Sequence, residues 1–90
     1  MNKTIITVVG KDAVGIIAAV CTYLSSKNIN ILDISQTIVD GYFNMMMITD
    51  TSACDLTHEE LSRDLTAVGK TKGVMVHAQR EEIFDMMHRL

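Results

Sequence analysis

Ninety residues make one domain's worth of chain, and 48% apolar residues with no proline and five glycines exclude a disordered or linker-like polymer. A formal net charge of −3 argues against nucleic acid as a partner. Two cysteines, Cys21 and Cys54, exclude a disulfide scaffold, and with no CxxC pair both read as reduced thiols of a cytoplasmic protein. No apolar run approaches the ~18 residues of a membrane span, and the stretch after Met1-Asn2-Lys3 is too short for a signal sequence.

Residues 3–9 are nearly continuous and β-branched, as a strand buried on both faces should be. Gly10-Lys11-Asp12 breaks the strand, and Asp12 is a good N-cap for a helix beginning just after it. Val14, Ile17, Ala18, Cys21 and Leu24 form the stripe of that helix, which Ser25 to Asn28 close. Ile29 to Val39 predicts a second strand, with a change of phase between Ile31 and Leu32 that marks a bulge or kink. Asp40-Gly41 signals a two-residue hairpin, and Tyr42 to Thr49 reads as the returning strand. Phe43, Met45 and Met47 share one face of it, while Met46 and Ile48 share the other.

A loop over 50–56 leads to Thr57-His58-Glu59-Glu60, a capping box. Leu61, Leu65 and Val68 give the stripe of a second helix, Lys70 and Lys72 suit its negative end, and Gly73 fits the C′ position. Val74, Val76 and Ala78 alternate with Met75, His77 and Gln79 as a last strand. Glu81 to Leu90 predicts a short closing helix.

The order is therefore β-α-β-β-α-β: residues 1–80 form the domain and 81–90 a helical extension of it. Two split βαβ units of this kind predict an α+β, ferredoxin-like sandwich: a four-stranded antiparallel sheet, two helices on one face, and a short C-terminal helix.

Catalytic chemistry finds no footing. His58, His77 and His88 fall on separate elements without a paired ligand, so no metal site is expected. Met45-Met46-Met47 cannot converge on one ion, because consecutive strand residues face opposite ways. No nucleophile has a neighbouring base, and the carboxylates open helices, so the chain reads as a non-enzyme with no cofactor. The RNA-recognition topology shares this strand order, but Asp40 and the methionines replace the basic residue and aromatics that stacking needs.

Gly10-Lys11-Asp12-Ala13-Val14-Gly15-Ile16 is the feature left over. Two readings stand on the residues alone. Either Gly10 relieves the turn and Gly15 lets helix pack on sheet, or the first-turn N–H groups bind a carboxylate or phosphate. It is no Walker loop, which needs Lys-Ser/Thr after its second glycine.

This motif, together with Asn28-Ile29-Asn30-Ile31-Leu32-Asp33-Ile34-Ser35-Gln36, resembles the ACT domain over about residues 3–80, and in particular small stand-alone bacterial ACT proteins related to the glycine-cleavage repressor. The resemblance implies a regulatory module that senses an amino acid between two copies. The loop Gly10 to Ile16 of one copy would face the strand start Asn28 to Leu32 of the other, with Asn28, Asn30, Ile31 and Leu32 as the contacting residues. Backbone N–H groups near Val14, Gly15 and Ile16 would hold the carboxylate, and Asp12 and Asn30 would accept from the ammonium group. Asp12 cannot cap the helix and bind ligand fully at once. A homodimer covering an apolar sheet face, with a protein effector downstream, is the expected assembly. The alternative is a ligand-free interaction subunit acting through its sheet face or terminal helix.

Overall fold

Six elements succeed one another in a computed structural model that describes residues 2–11 and 14–80. They are β1 (Lys3–Gly10), α1 (Val14–Ser26), β2 (Asn30–Val39), β3 (Tyr42–Asp50), α2 (His58–Thr71) and β4 (Met75–Arg80). The strands form one four-stranded sheet in the order β2-β3-β1-β4, every pair antiparallel. This is the ferredoxin-like arrangement. The expected closing helix over 81–90 and the Asp12 cap lie outside the described residues.

Alternation along the strands makes the two faces of the sheet. Ile6 and Val8 of β1, Phe43, Met45 and Met47 of β3, and Val76 and Ala78 of β4 point toward the helices and are buried. Leu61 and Leu65 of α2 meet them, as the capping-box helix predicts. That box is made in full: the Thr57 N–H donates to Glu60 Oε1 at 2.9 Å, and the Glu60 N–H donates to Thr57 Oγ1 at 3.1 Å.

On α1 the buried residues are Ile16, Val20 and Leu24, while Ala18 of the expected stripe is exposed and Ile17 and Cys21 flank the core. The helix is apolar almost all round, so periodicity underdetermines which side turns inward. Tyr23 lies at this boundary, where its phenol donates to Asp64 Oδ2 at 2.7 Å and ties α1 to α2. Burial, then that bond and the neighbouring carboxylate, hold the phenol well above its usual pKa.

The bulge falls where the change of phase placed it. Ile31 pairs with Thr49 and Asp33 with Ile48, leaving Leu32 as the extra residue. The extra residue puts Ile31, Ile34 and Ile38 on the helix side together. Beyond the bulge the helices no longer cover that side, and Ile38 is 77% exposed. At the hairpin, Asp40 (φ 53°) and Gly41 (φ 77°) are both left-handed, as the favoured two-residue turn requires.

Candidate functional site

The glycine loop leaves the sheet at Gly10, the last residue of β1, opposite Phe43. A Cβ on Gly10 would sit 2.1 Å from Val74 Cγ1 and 2.7 Å from Val74 Cβ. Gly10 is therefore demanded by the turn between α2 and β4, which presses against it. Gly15 is different. Among the described residues the atoms nearest a Cβ there belong to the Lys72 side chain, with Nζ at 3.8 Å, and none belongs to the sheet, so helix-on-sheet packing does not require this glycine. Of the two readings of the motif, close packing accounts for Gly10 and leaves Gly15 unexplained.

Among the described residues, what surrounds Gly15 is positive. The helix begins at Val14, so the N–H groups of Val14, Gly15 and Ile16 belong to the first turn, where no intrahelical acceptor exists. That turn contains no acidic residue, and Lys72 brings an ammonium group beside it. Ile16 sends its side chain into the core at 1% exposure. Lys11 is exposed, its Nζ 5.5 Å from the centre of the Tyr42 ring, an interaction that links the loop to the hairpin end of β3. Asp12 and Ala13 are outside the described residues.

Next to the loop runs an apolar groove of about 690 Å³, bounded by Gly10 and Lys11 on one side and Gly73 to Val76 on the other. Gly73 (φ 67°) is the left-handed C′ residue of α2, with the Val74 N–H returning to the Gly69 carbonyl at 3.0 Å. Gly69 allows the close contact below it: a Cβ there would lie 2.8 Å from the Val74 carbonyl oxygen. Neither Val74 nor Gly69 carries a sequence signal for this role, because the contacts join segments about 60 residues apart or sit across a turn.

The second half of the expected site is built at the other end of the molecule. Asn28 is left-handed (φ 59°) and closes α1, with its N–H on the Ser25 carbonyl and the Ile29 N–H on the Leu24 carbonyl. Asn30 starts β2 opposite Asp50 and is exposed. Ile31 is half-buried against the core, and Leu32 is the bulged residue, 43% exposed. Asn28, Ile29, Asn30 and Ile31 line a shallow depression of about 480 Å³ with Cys21 and Ser25.

Asp50 pairs with Lys3, the start of β1, whereas Gly10 ends it. Seven residue steps at ~3.3 Å each separate the two ends by roughly 23 Å. One chain does not bring Gly15 and Asn30 onto one amino acid.

The architecture and the glycine loop together define a small ferredoxin-like domain of the regulatory, ligand-binding class. An ACT-domain model matches residues 2–79, and the chain belongs to the ACT-domain family. A UPF0237 protein of Bifidobacterium longum is 60% identical over 90 residues, 100% of both chains. The solved structure of an ACT domain protein from Streptococcus pneumoniae superposes with a TM-score of 0.83 at 39% identity, over 93% of this chain and 94% of that one. A candidate glycine cleavage system transcriptional repressor shares the fold with a TM-score of 0.70 at 21% identity, over 88% of this chain and 45% of that one. Among the described residues no helix is long and apolar enough to cross a membrane.

Proposed function

We propose that this chain is a cytoplasmic, homodimeric sensor of an amino acid, with the ligand held between two copies and the occupied dimer acting on a metabolic or transcriptional effector. One observation carries the reading: the two half-sites lie at opposite ends of a protomer whose ten-residue β2 is an edge strand. Such an edge, with Ile38 and Val39 at 77% and 58% exposure, favours pairing with another strand. If β2 pairs antiparallel with its copy, a twofold axis reverses the neighbour. The neighbour's Asn28 to Leu32 then comes beside this protomer's Gly10 to Ile16, twice per dimer.

The chemistry suits an amino acid. First-turn N–H groups and Lys72 attract a carboxylate, and the Asn30 amide oxygen supplies an acceptor for an ammonium group. Thermal shift of the purified protein against the common amino acids tests this. A ligand at a hundred times its dissociation constant adds about 2.7 kcal/mol, or roughly 10–20 °C for a domain this size. No shift with any amino acid at millimolar concentration, from protein freed of carried-over ligand, rejects the proposal.

The exposed apolar side chains of β2 also suit the alternative, a ligand-free interaction subunit. In that case Gly15→Asp leaves effector binding intact and Ile38→Lys abolishes it.

A further inference from the structure

We propose that the groove beside the glycine loop takes the side chain of the ligand, and that the ligand is a monocarboxylate with a branched or aromatic apolar group. The inference rests on the loop being where the charged end is held, and it adds the chemical class. The groove is formed within one protomer, at the corner where β1 ends and β4 begins. Val74 and Val76 line its helix side, and Val9, Tyr42 and Met75 continue it around the sheet edge. Three of these are large apolar side chains left in water: Met75 is 72% exposed, Tyr42 44% and Val9 40%. Concave apolar surface of this kind gains by enclosing apolar ligand atoms.

Charge sets the other half of the ligand. Lys11 and Lys70 stand at the groove, and no Asp or Glu among the described residues lines it. In a chain of net charge −3, such a site selects an anion over a cation or a zwitterion's ammonium end. The loop residues Gly10 and Lys11 belong to the groove as well, so one molecule with its carboxylate near the first turn of α1 has a path for its apolar group. Small polar amino acids have nothing to place there. A large apolar amino acid and the corresponding 2-oxo acid share the required chemistry and differ only at the ammonium group.

The test is NMR of the full chain titrated with L-phenylalanine, L-leucine, phenylpyruvate and 4-methyl-2-oxopentanoate, with L-serine and L-aspartate as controls. The inference predicts saturable shifts at Val9, Tyr42 and the Met75 methyl with the apolar acids and none there with the controls. It also predicts an affinity at least about tenfold weaker in Lys70→Glu and in Met75→Asp, two exposed positions, in protein whose dispersed amide spectrum shows it folded. Response to the amino acids alone supports it and identifies them as the source. Response to the oxo acids alone supports it and identifies those.

Shifts confined to Val14–Ile16 and Asn30, with Met75 unmoved by any compound, overturn the inference and leave the interface reading standing. Shifts at Met75 with no amino acid moving Asn30 keep the groove and remove the partner's half-site. A Met75 methyl that moves with protein concentration alone, or on Phe84→Ala in the closing helix that the sequence predicts over 81–90, overturns it by assigning the groove to a second copy or to residues 81–90.

Discussion

The two glycines of the loop predict opposite responses to the same substitution. Gly10→Ala places a Cβ 2.1 Å from Val74 Cγ1, against an ordinary carbon contact of about 3.5–4.0 Å, and 2.7 Å from Val74 Cβ. A rotamer change at Val74 relieves only the first clash, because the Cβ is fixed to its backbone. The turn between α2 and β4 must therefore shift by more than about 1 Å. Overpacking this severe falls at the upper end of the usual range, about 2–3 kcal/mol, of which about 0.4–1 is offset by the lower entropy of the unfolded alanine chain, leaving about 1–2.6 kcal/mol.

Among the described residues Gly15→Ala meets nothing nearer than 3.8 Å, and what it meets is a flexible lysine tip. Inside a helix that exchange gains up to about 1 kcal/mol. Urea unfolding at one fixed protein concentration gives both values. Gly10→Ala should lower the midpoint, equivalent to roughly 4–20 °C in Tm, while Gly15→Ala leaves it unchanged or raises it. In the double variant Gly10→Ala/Val74→Ala the destabilisation should be less than additive. Equal effects at the two glycines, or a neutral Gly10→Ala, would refute the packing explanation.

Other contacts in the fold carry three more expected outcomes. Tyr23→Phe removes the 2.7 Å bond to Asp64 and should cost about 1 kcal/mol, since the site is half-buried and water replaces part of the interaction; calorimetry of Tyr23→Phe and Asp64→Asn checks it. Glu60 and Asp50 are each held below the usual carboxylate pKa, by hydrogen bonds from Thr57 and Ser52 respectively. Their stabilisation is present above the unfolded pKa near 4 and is lost as pH falls through the lower folded values, so Glu60→Gln, which removes one of these carboxylates, should flatten the acid limb of a stability–pH curve. Ile38→Lys, at a position 77% exposed, should convert the proposed dimer to monomer in sedimentation velocity without lowering the stability of the monomer by more than about 0.5 kcal/mol.

Much of the architecture is legible in local pattern. The capping box at Thr57, the left-handed Gly73, the Asp40-Gly41 turn and the phase change at Leu32 each depend on neighbours within a few residues. The facing of α1 was not legible, because Ile16, Ile17, Val20 and Cys21 are all apolar and only the sheet decides among them. The role of Gly10 was hidden for another reason: its partner Val74 lies 64 residues away in a turn. For the site, the loop and the Asn28–Leu32 segment were visible as motifs, but that they sit at opposite ends emerges only from the strand register. Asn28 shows how a motif residue can have a conformational job, since its φ of 59° closes α1 whatever else its side chain does.

A ligand site shared by two copies is tested most directly by mixing two variants that are each blind to the ligand. Gly15→Asp spoils the loop half, and Asn30→Lys, which removes the acceptor and repels an ammonium group, spoils the strand half. Calorimetric titration of either alone with the amino acid found by thermal shift should show no binding. After the two are unfolded together and refolded as an equal mixture, half of the dimers are mixed, and each mixed dimer has one intact site. About a quarter of the wild-type sites should return with wild-type affinity. A mixture as silent as its components would contradict the account, and so would a Gly15→Asp or Asn30→Lys variant that binds normally on its own.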